Sequence, residues 1–186
     1  PDPLLKNYLE DTVYRLAESS QVQDPRFSFI LLKSPQLNAF AAPGGIIGVN
    51  GGLFLYAQNE GEFASVLAHE LAHLSQRHFA RGLEARQQMQ IPMMAAMLGG
   101  IIAMAAGAGD AGVAAIASSQ AAAMQAQQRF SRQNEQEADR IGMQTLGNAG
   151  YDPRSMPDMF NRLMSQYRYN SKPPEFLMSH PVTESR

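Results

Sequence analysis

His69-Glu70-Leu71-Ala72-His73 constrains this chain more than any other stretch, because it falls inside an amphipathic run over residues 61–81. Histidines four apart share one face of a helix, so both imidazoles reach a single Zn²⁺. Glu70, one position along, points toward water on that metal. Phe63, Val66, Leu67, Leu71 and Leu74 form an apolar stripe, Asn59 is placed to cap, and Glu60 and Glu62 suit a first helical turn. No residue between 61 and 79 breaks the pattern, so a single helix is expected through Phe79. His78 would rotate off the metal-facing side, which makes it a surface or packing residue.

A catalytic zinc site takes three protein ligands and leaves a position for water, whereas a structural site takes four. The chain has no cysteine, so the third ligand must be His, Asp or Glu. Asn134-Glu135-Gln136-Glu137-Ala138-Asp139-Arg140 supplies the candidates. Glu135 and Asp139 are four apart and share a helix face, so one can bind metal while the other accepts a hydrogen bond from a ligand imidazole. Glu137 lies on a different face. Pairing of these carboxylates with Arg132 or Arg140 is the plain alternative.

Together, His69-Glu70-Leu71-Ala72-His73 and Glu135-Gln136-Glu137-Ala138-Asp139 resemble the zinc peptidase family of HtpX and the CAAX prenyl proteases, which pairs HExxH with a downstream ExxAD. Ala42-Pro43-Gly44-Gly45, Ser179-His180-Pro181 and Arg186 extend the resemblance, which covers about residues 38–186. It implies a zincin-like metallopeptidase domain holding one zinc per chain, with ligands at His69, His73 and Glu135. Glu70 matches the general base and Asp139 the carboxylate behind a ligand. His180 and Arg186 are placed near the metal, and His180 either binds it as a fourth ligand or donates to the oxyanion. The member most closely resembled is a periplasmic protease of outer-membrane protein assembly. That implies a periplasmic setting, unfolded or misassembled outer-membrane proteins as substrates, and the assembly machinery as partner. The rival reading is a non-catalytic chaperone or assembly factor with a structural or latent zinc site.

At 186 residues one domain is expected, residues 1–186. A C-terminal repeat domain of the kind that relative carries would lie outside this chain. A net charge of −2 provides no basic face for nucleic acid. Asp2, Lys6 and Glu10 fall where the apolar core of a leader peptide would be, so the chain reads as cytosolic or already processed.

The remaining patterns place these motifs in a mostly helical α+β domain with a small sheet beside the active-site helix. Leu4, Leu5, Tyr8, Leu9, Val13 and Leu16 recur at helical spacing over residues 1–20. Strands are expected at 27–33, 38–42 and 46–49, the last two joined through Pro43-Gly44-Gly45. An edge of this sheet could hold an extended peptide by main-chain hydrogen bonds. Asn50 is expected to cap a helix over 52–58, the second metal-bearing helix to run over 114–149, and another over 155–167. Residues 171–174 and 179–181 read as loops.

Residues 91–109 contain no charge and are rich in Ala, Gly and Met, with Pro92 and Gly99-Gly100 among them. A buried or partly mobile helical hairpin is expected over this region. Membrane-surface contact through 91–109 is the next alternative, and a bilayer span the least favoured.

Overall fold

The computed structural model describes residues 2–169 and 173–181. The chain forms two compact units, Pro1–Arg77 with Asn134–Arg186, and His78–Gln133. The architecture is the expected mostly helical α+β arrangement: α1 (Pro3–Glu18), β1 (Ser28–Leu32), β2 (Ala39–Ala42), β3 (Ile46–Asn50), α2 (Gly51–Tyr56), α3 (Glu60–Ser75), α4 (His78–Ala105), α5 (Gly109–Asn148), α6 (Ser155–Tyr169) and α7 (Glu175–Ser179).

In the first unit the sheet order is β1-β3-β2, with β3 parallel to β1 and antiparallel to β2. Gly44 and Gly45 both adopt positive φ in the turn between β2 and β3, a conformation that side chains resist. Leu9, Val13 and Leu16 from α1, Ile47 and Val49 from β3, and Phe63, Val66, Leu67 and Leu71 from α3 are buried in one core. Leu146 from α5 and Met156, Met159 and Leu163 from α6 complete it. The central helix α3 is therefore enclosed over most of its length, and its polar residues must be satisfied internally.

Its N-terminus shows how. The Asn59 side chain accepts from the Glu62 amide at 2.9 Å, while the Glu62 carboxylate accepts from the Gln58 amide at 2.7 Å and pairs with Arg162 on α6. The cap expected from sequence is thus present. The C-terminus departs from expectation: α3 stops at Ser75, and Arg77 takes a left-handed φ of 54°. The apolar periodicity ran on past this point because hydrophobic pattern does not register a single left-handed residue. His78, the first residue of α4, is buried.

Asn50 occupies the N-cap position of α2 but makes no side-chain cap there. Its amide donates instead to Glu175 on α7. The segment 179–181, expected as loop, begins inside α7. Arg186 and residues 170–172 lie outside the described residues.

In the second unit α4 and the first part of α5 form a hairpin turned at Gly107, whose φ is 89°. The expected burial is not found. Of α4, only His78 and Gly100 are buried, because the partner helix offers small side chains and covers little area. α4 is also the one helix among the described residues long and apolar enough to cross a membrane.

Candidate metal centre

His69 and His73 project from consecutive turns of α3, and their Nε2 atoms lie 3.0 Å apart. Glu135 reaches the same point from α5, with Oε2 3.3 Å from His69 Nε2 and Oε1 3.5 Å from His73 Nε2. His180, at the end of α7, places Nδ1 3.3 Å from His69 Nε2 and 3.2 Å from each Glu135 oxygen. One ligand atom from each of the four residues lies within 4.8 Å of all the others.

These separations fit a tetrahedral metal. Ligand atoms about 2.0–2.1 Å from a common centre stand about 3.3 Å from one another; the separations given above run from 3.0 to 3.5 Å, and the whole set lies within 4.8 Å. Three imidazoles and a carboxylate are also the nitrogen and oxygen donors that zinc accepts.

Asp139, one turn beyond Glu135 on α5, approaches from behind. Its Oδ1 lies 2.9 Å from His69 Nδ1, so the imidazole N–H donates there and turns the Nε2 lone pair into the cluster. The close approach of α5 to α3 depends on Gly142. A Cβ at that position would sit 3.1 Å from the His69 amide nitrogen and 2.9 Å from Met156 Cε. Glu137 is not one of the four converging groups.

Glu70 is 1% exposed. His180 Nε2 lies 3.2 Å from its Oε1, yet no donor is aligned on that oxygen for a hydrogen bond. Burial pushes the Glu70 carboxyl above the ordinary carboxylate range, against the pull of His180, His69 and the Ala41 backbone amide. Burial also acts on Glu135, but hydrogen bonds to His180 and His69 overcome it and hold that carboxyl well below the usual range. For His69, burial disfavours the charged ring, while hydrogen bonds to Asp139 and Glu135 prevail and raise its pKa to about 9. Metal binding needs the ring nitrogen facing the cluster to be free of its proton, so it would be coupled to proton release.

Strand β2 supplies the adjoining wall. The Asn38 carbonyl accepts from the Asn50 amide at 3.0 Å, so positions 38, 40 and 42 bond to β3, while the backbone groups of Ala39, which is fully buried, and of Ala41 point away from it. Ala41 is the residue whose amide meets Glu70.

Two features of the site carry little signal in the sequence. Glu175 Oε2 accepts from Asn38 Nδ2 at 3.4 Å and Asn50 Nδ2 at 3.3 Å, and the Phe176 amide donates to the Leu37 carbonyl, tying α7 to the sheet. Phe176 is fully buried, with its ring 4.7 Å from that of His180. The acidic residue at the start of a short amphipathic turn was the available hint.

Comparison with known proteins places these residues in context. The model of Peptidase family M48 matches residues 3–186. The beta-barrel assembly-enhancing protease of Escherichia coli (strain K12) is 42% identical over 185 residues, covering 100% of this chain and 38% of its own length. The protein of the same name in Yersinia pestis is 44% identical over 186 residues, again 100% of this chain and 38% of that protein. Mitochondrial metalloendopeptidase OMA1 of Schizosaccharomyces pombe is 27% identical over 191 residues, covering 100% of this chain and 53% of its own. The chain therefore spans less than two-fifths of the length of the first two relatives.

Proposed function

The chain belongs to peptidase family M48, and on that premise we propose that it is a zinc-dependent endopeptidase whose resting state is latched by His180. The observation that carries this reading is the convergence of His69, His73 and Glu135 beside the buried carboxylate of Glu70. His69, His73 and Glu135 would hold one zinc, with Asp139 fixing the His69 ring. Bound zinc lowers the pKa of water to near neutrality and polarises a peptide carbonyl.

The chain's own groups do the rest. Glu70 Oε1, buried with no aligned donor, accepts a proton from the attacking water and returns it to the leaving amine. Its raised proton affinity suits both steps. An edge of the sheet would hold the substrate backbone as an added strand, without demand for a particular side-chain sequence. His180 is given the fourth position, with Nδ1 toward the ligands and Nε2 toward Glu70. A seat there opposes both water and proton transfer, so release of α7 accompanies turnover. Arg186 is carried as a further site residue by family resemblance alone.

The relatives named beta-barrel assembly-enhancing protease support misassembled outer-membrane proteins as substrates, the β-barrel assembly machinery as partner, and the periplasm as compartment. The four-donor set also supports the rival reading, a non-catalytic chaperone with a closed zinc site. One experiment separates them: measure zinc content and hydrolysis of an unfolded protein in the parent and in Glu70→Gln. The peptidase reading expects hydrolysis to fall by about 10²–10⁴-fold with zinc retained. Equal hydrolysis in both proteins removes Glu70 from the mechanism, and no hydrolysis in the zinc-loaded parent or in His180→Ala favours the chaperone.

A further inference from the structure

The α4–α5 hairpin distributes its side chains in the reverse of a water-soluble pair. Where the helices meet, they meet through glycine: a Cβ on Gly100 would sit 2.8 Å from the Gly112 carbonyl oxygen, and one on Gly112 would sit 2.4 Å from that of Gly100. Ile116 and Met104 also pack at this contact, but a row of large apolar residues on α4 faces outward. Phe79, Leu83, Ile91, Met94, Leu98 and Ile102 are all exposed, from 47% at Leu83 to 76% at Ile91. They recur at three-, four- and eight-residue intervals, so they trace one face of α4 for about 35 Å, with Gln87 at the remaining position. Small residues inside and large ones outside are how helices pack when an apolar phase surrounds them. A stripe of this length is far more than scattered surface hydrophobics.

Charge identifies what covers the stripe. Between Arg86 and Arg129 the only charged residue is Asp110. On α4 itself Arg81 and Arg86 stand against Glu84, and in the whole unit His78–Gln133 Arg129 and Arg132 on α5 add to them against Asp110, a surplus of positive charge in a chain of net charge −2. A surface that combines an apolar stripe with excess arginine suits anionic phospholipid headgroups over acyl chains. Another copy of the same hairpin would bring like charges together, and Pro92 interrupts the regular helix that a two-helix seam requires. Full insertion is opposed by Asp110, which sits at the tip of the hairpin and would be carried deepest. The exposed residues of α5 include Ser118, Gln120, Gln125 and Gln128 beside Val113 and Met124, a more polar surface than the stripe on α4.

We propose that α4 lies along an anionic bilayer surface with Leu83, Ile91, Met94, Leu98 and Ile102 sunk into the headgroup boundary and α5 facing water. The chain has no tryptophan, so single probes report this directly. The test uses the whole chain with vesicles of phosphatidylcholine alone, and with vesicles containing about one-third phosphatidylglycerol. Leu98→Trp is expected to shift its emission to the blue on adding anionic vesicles, and Met124→Trp, exposed on α5, to stay unshifted.

Sedimentation with anionic vesicles should weaken about fivefold in Arg86→Gln, fall with added salt, and disappear in Ile91→Asn/Leu98→Asn while the helical circular dichroism is kept. Absence of binding by the folded chain, or binding indifferent to Ile91→Asn/Leu98→Asn, overturns the proposal. A concentration-dependent dimer abolished by those substitutions, with no vesicle binding, assigns the stripe to a second copy. An equal blue shift with an unfolded polypeptide and none with vesicles assigns it to unfolded chains.

Discussion

Replacing Glu175 by alanine isolates the latch without touching a zinc ligand or Glu70. Glu175 Oε2 holds two amides, Asn38 Nδ2 at 3.4 Å and Asn50 Nδ2 at 3.3 Å. Both bonds are long and the carboxylate is exposed, so each contributes about 0.5–1 kcal/mol net. Their joint loss, about 1–2 kcal/mol, moves the ratio of seated to released α7 by about 5- to 30-fold. If the seated form dominates at rest, hydrolysis of an unfolded protein rises by the same factor. Zinc content stays at one per chain because His69, His73 and Glu135 are untouched. The assay pairs initial hydrolysis rates with metal analysis and a thermal midpoint. In a His180→Ala background the same substitution should add no further gain, since α7 then carries no latch. Unchanged or lower hydrolysis in Glu175→Ala at an unchanged thermal midpoint would refute the reasoning, as would an undiminished gain in the His180→Ala background.

Three other perturbations test the positioning of the cluster. Asp139→Asn replaces the carboxylate that orients His69 and is expected to weaken zinc binding by about 10- to 100-fold, read by competition with a chelator. Glu135→Ala should lose zinc and Glu137→Ala should keep it; metal analysis showing the opposite pattern transfers the ligand role to Glu137. Gly142→Ala pushes a methyl toward the His69 backbone and Met156, with an expected cost of about 1–3 kcal/mol in denaturant unfolding. That variant should also show weaker zinc retention, because Glu135 and Asp139 ride on the displaced helix.

Much of the candidate site was legible in sequence wherever its geometry is local. His69, Glu70 and His73 depend only on the 100° step of one helix, and Glu135 with Asp139 on the same step in another. The sheet, the Gly44-Gly45 turn and the Asn59 cap were likewise set by short-range pattern. The end of α3 was missed because one left-handed residue, Arg77, leaves no mark on hydrophobic periodicity.

Tertiary structure alone decided the rest. Either Glu135 or Asp139 could have met the imidazoles until the Gly142 contact fixed how α5 lies on α3, bringing Glu135 to the cluster and Asp139 to the far nitrogen of His69. Asn50 reads as a helix cap, yet its amide goes to Glu175, 125 residues away, because that carboxylate is brought within reach only after α7 docks. The composition of residues 91–109 fitted a buried hairpin as well as an exposed one. Burial is a property of what surrounds a segment, and glycine-to-glycine packing leaves α4 with too little partner surface to cover its large side chains.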